Sequence, residues 1–83
     1  MARNVVRGGN VETIHERLRH ARAQTGQTAA EVAAECGVSR QAISAYESES
    51  VGVVPGGLAI MELCYAYGIT ADWLLGIPPV RQR

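Results

Sequence analysis

Few side chains in this 83-residue chain could do covalent or metal chemistry, and their spacing argues against it. His15 and His20 lie five positions apart, about 140° around a helix, so they do not share a metal there. Cys36 and Cys64 are the only cysteines, whereas a structural zinc takes four ligands at close spacing. They fall instead at core-facing positions, where a free cysteine behaves as a small hydrophobe. His15-Glu16 does not open a zinc-protease pattern, which needs its second His four residues after the first. Ser39 and Ser44 have no nearby His in a plausible triad. These residues assign no catalytic group, no metal and no cofactor, and the chain is not read as an enzyme.

What remains is hydrogen-bond chemistry. Arg40, Gln41 and Ser44 can all donate, and a helix starting after Ser39 leaves them on its outward side. Reading a DNA major groove requires this kind of element, an exposed short helix whose first turn can enter a groove about 12 Å wide. It also requires a preceding helix, crossed against the first, to lie over the phosphate backbone.

The elements that would position those donors are legible on either side. Asn10 is a good N-cap for a first helix with Val11, Ile14, Leu18 and Ala21 at helical spacing, ending near Gly26. Arg17, Arg19 and Arg22 do not share that face and are expected to be solvated. Thr28 caps a second helix, with Glu31 completing a capping box and Ala29, Val32, Ala33 and Cys36 inward. Gly37-Val38-Ser39 is the short Gly-containing turn that joins helices at about 90–120°. The third helix covers roughly 40–48, with Ala42, Ile43 and Tyr46 inward, and the alanines at 29, 30, 33 and 34 let it approach the second closely. Residues 48–57 form a loop rich in turn formers. Val51, Val53 and Val54 there are expected to pack beneath the loop, the alternative being a second interface. A fourth helix carries Leu58, Met61, Leu63, Cys64 and Tyr67 and ends at Gly68. Thr70 caps a fifth, Ala71–Leu75, closed by Gly76. A five-residue helix does not bury Trp73, Leu74 and Leu75 all on one face, so this end is a candidate dimer contact.

Composition sets the limits. A chain this short makes one domain and buries only about 60–65% of its unfolded surface, so it needs tidy helix packing or a partner. Eight basic and eight acidic residues cancel, and the pI of about 6.7 is low for a DNA-binding domain. All eight basic residues are arginine, however, and five precede residue 23. Two cysteines without a secretory leader, and no apolar run of membrane-spanning length, predict a cytoplasmic chain.

The stretch from Gln27 to Glu47 resembles the helix-turn-helix of the Xre, Cro and phage-repressor family. The likeness continues into Leu63–Ile69 and then Thr70-Ala71-Asp72-Trp73-Leu74-Leu75-Gly76, which looks like that family's fifth-helix ending. It covers about residues 11–78, with two separate motifs in register. It implies base reading by Arg40, Gln41 and Ser44, with Ala45 placed against a thymine methyl. Arg pairs best with guanine and Gln with adenine. It implies phosphate contacts from Gln27, Thr28, Ser39 and Ser48. The chain differs from the family pattern at Ala29, where a Gln is common, and around Glu49, in a loop about two residues longer. Arg3 and Arg7 of the arm are expected to compensate by holding phosphate.

The resulting expectation is an all-α, compact five-helix, lambda-repressor-like DNA-binding domain with a helix-turn-helix. It has a flexible arm at 1–9, the domain at 10–78 and a tail at 79–83. The partner is double-stranded DNA, bound by a homodimer through Trp73, Leu74 and Leu75, in the manner of a small Cro-like repressor. The rivals are an antitoxin of the same fold, using the valine loop against a toxin protein, and an interaction module without DNA binding.

Overall fold

Thr13 sets the start of the first helix. Its hydroxyl accepts the Glu16 N–H at 3.1 Å, and its own N–H donates to the Glu16 carboxylate at 3.3 Å. This reciprocal capping box places α1 at Ile14–Thr25. The expected start at Asn10 gives way because the third residue after Asn10 is Thr13, which cannot complete such a box, whereas Thr13 has Glu16. The computed structural model describes residues 13–78. Asn10, Val11, the arm with Arg3 and Arg7, and the tail at 79–83 lie outside the described residues.

The same device, built from Thr28 and Glu31, opens α2 at Ala29–Cys36. Ser39 caps α3, Arg40–Tyr46, by accepting the Ala42 N–H at 3.0 Å. Then follow α4, Gly57–Tyr67, and α5, Ala71–Leu75, the latter capped by Thr70. The described residues therefore fold as five helices without a strand, an all-α arrangement in which the short turn at 37–39 joins α2 to α3. Gly37 makes the turn at φ 72°, a left-handed backbone that a residue with a Cβ rarely adopts.

One core joins all five. Leu18 and Ala21 of α1, Val32 and Ala33 of α2, Ile43 of α3, Leu63 and Tyr67 of α4 and Leu74 of α5 are buried together. Cys36 and Cys64 are free thiols half-buried against it, and burial raises both thiol pKa values. α2 packs chiefly on α3 and α4, while α1 meets α4 and α5. Of the four alanines of α2, Ala33 is buried and Ala29 half-buried, whereas Ala30 and Ala34 face solvent. No helix among the described residues is long and apolar enough to cross a membrane.

The arginines of α1 are not simply solvated. Arg22 grips the Glu47 carboxylate with two N–H groups, Nε at 2.6 Å and Nη2 at 2.9 Å, and Nη1 donates to Gln27 O at 3.1 Å. The bond to Glu47 raises the Arg22 pKa, with desolvation opposing it. Arg19 donates to Glu47 O at 2.8 Å, and His15 Nδ1 lies 2.7 Å from Tyr46 O. These α1 groups meet the last carbonyls of α3, where the helix dipole favours a cation. The helix α3 ends at Tyr46 rather than 48, with Glu47, the clamped residue, as its C-cap. Arg17 donates to Leu74 O at 2.9 Å and so ties α1 to α5.

Candidate functional site

Ser39, Arg40, Gln41 and Ser44 are all exposed, and Ala45 is half-buried. Arg40 to Ser44 and Gln41 to Ala45 are four-residue steps, so their side chains form one ridge on the outer face of α3. The opposite face buries Ile43 against α2 and the remaining core. Val38, half-buried behind the turn, donates its N–H to Ala33 O at 3.0 Å and so fixes the exit from α2.

The ridge borders an open concavity of about 550 Å³ lined by Ala29, Arg40, Gln41, Ser44, Ala45, Ser48 and Val51. Three elements meet there: the first residue of α2, the outer face of α3, and the loop after α3. The loop is built to stay in place. Ser48 Oγ accepts the Val51 N–H at 3.3 Å, and Ser48 O accepts the Gly52 N–H at 3.0 Å with Gly52 at φ 73°. From the other side Thr13 Oγ1 donates to the Glu49 carboxylate at 2.8 Å, pinning the loop to the start of α1.

The residues expected at phosphates sit at the edges of this surface, with part of their capacity already used. Gln27 Nε2 donates to the Glu35 carboxylate at 3.0 Å. Thr28 gives its N–H to Glu31 at 2.8 Å, so that backbone donor is spent within the capping box. The hydroxyls of Thr28, Ser39 and Ser48 each accept a backbone N–H, which leaves a hydroxyl its own proton to donate. Glu31 is the acidic residue in the first turn of α2, and Arg40 supplies the positive charge of this face.

Exposed apolar residues lie on the loop, α4 and α5. Val51, Val53 and Val54 do not pack beneath the loop; all are exposed, and the loop buries Pro55 instead. On α4, Leu63 and Tyr67 turn inward, whereas Leu58, Met61 and Tyr65, at steps of three and four, line the outside. On α5 the expected contact trio is split. Leu74 has 0% of its surface exposed and belongs to the core, because the one buried stripe of so short a helix passes through it. It is therefore not an interface residue. Trp73 and Leu75, each 41% exposed, remain outward.

Reading by spacing missed the clamp on α3, although a signal existed. Glu47 lies four residues after Ile43, and His15 and Arg22 flank Leu18 at steps of three and four, so all three extend core-facing stripes. Nothing in the spacing pointed to Val51, whose position depends on a turn.

The family whose model matches residues 16–74 is described as a helix-turn-helix domain. Among solved structures, the chain is similar to the P22 c2 repressor protein in complex with a synthetic operator, at 29% identity and a TM-score of 0.72. The alignment covers 78% of this chain and 96% of the repressor chain. No curated protein matches the chain.

Proposed function

Because the chain belongs to the helix-turn-helix domain family, we propose that it is a sequence-specific DNA-binding transcriptional regulator, a small Cro-like repressor that inserts α3 into the major groove. The observation that carries this reading is the exposed ridge of Arg40, Gln41 and Ser44, with α2 packed behind it. It is supported by likeness to a repressor whose structure includes operator DNA. Arg40 reads a guanine edge and Gln41 an adenine edge, with Ser44 donating beside them and Ala45 against a methyl. Gln27, Thr28, Ser39 and Ser48 hold phosphates, joined by Arg3 and Arg7. Neither reading nor positioning requires a catalytic group.

Selection of bound sequences from a random duplex pool tests this directly. On the preferred site, Arg40→Ala is expected to cost about 1–3 kcal/mol and to flatten preference at one base pair. Equal losses on specific and random duplex would reduce Arg40 to a phosphate contact. Deleting residues 1–9 is expected to weaken binding to all sequences alike and to lower the salt slope by roughly one to two units. An unchanged slope would remove the arm from the interface.

The regulator binds as a homodimer through Trp73 and Leu75, with half-sites about one helical turn apart. A protein partner in place of a second copy, as for an antitoxin, is favoured by one observation, the exposed valines with Leu58, Met61 and Tyr65. A dimer that covers these residues in solution would leave that reading without its surface.

A further inference from the structure

The geometry points to Val51 as a specificity-determining residue that, with Ala29 and Ala45, receives a thymine C5-methyl beside the hydrogen bonds of α3. This rests on the DNA-binding reading and adds to it a contact made from outside the helix-turn-helix. Val51 is not a disordered tip. The Ser48–Gly52 turn holds its N–H, and the Thr13–Glu49 bond anchors the loop to α1. The side chain is 59% exposed, yet it lines the same concavity as Arg40, Gln41 and Ser44. Val53 and Val54 do not line it.

The chemistry of the lining selects the occupant. Arg40, Gln41 and Ser44, whose side chains carry donors, line the concavity together with Ala29, Ala45 and Val51, whose side chains carry only aliphatic groups. Of the groups that unmodified B-DNA offers in the major groove, the thymine C5-methyl is the apolar one; the others are hydrogen-bond donors or acceptors. A base acceptor or donor placed against these methyls would lose its water without gaining a partner. A thymine methyl loses nothing and sheds apolar surface. Ala29 keeps the space open. A longer polar side chain there would reach across the α2 end of the concavity and close it to a methyl.

The test uses the full chain and the duplex recovered by selection from a random pool. Each thymine is replaced singly by deoxyuridine, which removes only the C5-methyl. For the native protein, at least one replacement per half-site is expected to weaken binding about fourfold, the worth of one buried methyl. In Val51→Ser, whose exposed position leaves the fold unchanged by circular dichroism, that penalty should fall below about 1.5-fold while base preference at Arg40 persists. Ala29→Gln, which fills the concavity from the other side, should abolish the same penalty. Equal deoxyuridine penalties in native protein and Val51→Ser would overturn the assignment while leaving DNA reading by α3 intact. So would a Val51→Ser variant that changes oligomeric state in sedimentation but not the deoxyuridine pattern, which would place Val51 in a protein contact. A pool from which no duplex is enriched would overturn the DNA-binding reading itself.

Discussion

Arg22→Ala is expected to lower the unfolding free energy by about 3 kcal/mol, read from urea denaturation, because it strands a buried carboxylate. For a domain of this size that is roughly 12–24 °C in melting temperature. The Glu47 side chain is only 10% exposed, and the Tyr67 pKa is raised by burial and by the charge of that carboxylate. Without Arg22 the charge loses its bidentate partner and has little water to replace it. The loss exceeds the worth of the pair itself, so replacing both residues by Arg22→Met and Glu47→Leu should recover much of it. The functional consequence follows from where the clamp acts. Arg22, Arg19 and His15 hold the C-terminal end of α3, and the ridge that carries Arg40 and Gln41 is the other face of that helix. At a temperature where Arg22→Ala is still folded, specific binding should weaken although no residue of the ridge has changed. A loss of stability below about 1 kcal/mol would mean that the pair behaves as an ordinary surface ion pair.

The clamp also shows which parts of this molecule were legible in its sequence. Helix count, order and the turn at Gly37 were written locally, in Thr or Ser caps, left-handed glycines and apolar steps of three and four. The donors at 40, 41 and 44 were legible for the same reason, since one helical period fixes which side they share. Contacts between distant segments were not. Nothing near Arg22 indicates that Glu47 will lie within 3 Å of it. A charged residue at a core-facing step reads as solvated until its partner arrives from another helix. The loop failed differently. Its valines look like packing residues, but the Ser48–Gly52 turn holds the Val51 backbone with the side chain outward, and Val53 and Val54 are exposed as well. The start of α1 was displaced by three residues because two good caps, Asn10 and Thr13, compete there, and the Glu at the third position decides between them.

Neighbouring leucines of α5 should respond oppositely to the same substitution. Leu74→Glu is expected to abolish cooperative thermal unfolding, while Leu75→Glu is expected to change stability by less than about 1 kcal/mol. Leu74 is fully buried, and truncating such a side chain alone costs about 2–5 kcal/mol. A carboxylate buried there adds a desolvation penalty of several kcal/mol. A domain of this length has roughly 4–12 kcal/mol in total, so little or nothing remains. Leu75 projects outward beside Trp73, and its change to Glu costs the free monomer almost nothing. It should matter only when two copies meet. The outward part of so short a helix makes a small interface, weaker than the roughly 1,200 Å² of a stable complex. The free chain is therefore expected to be largely monomeric at micromolar concentration and to pair on DNA. Two recognition helices about 34 Å apart then reach successive major grooves on one face of an inverted repeat. Leu75→Glu should keep native affinity for an isolated half-site and lose cooperative filling of the full one, as seen by quantitative footprinting. Native cooperativity in Leu75→Glu would move the two-fold contact off α5 and onto the exposed surface of Val53, Val54 and Leu58.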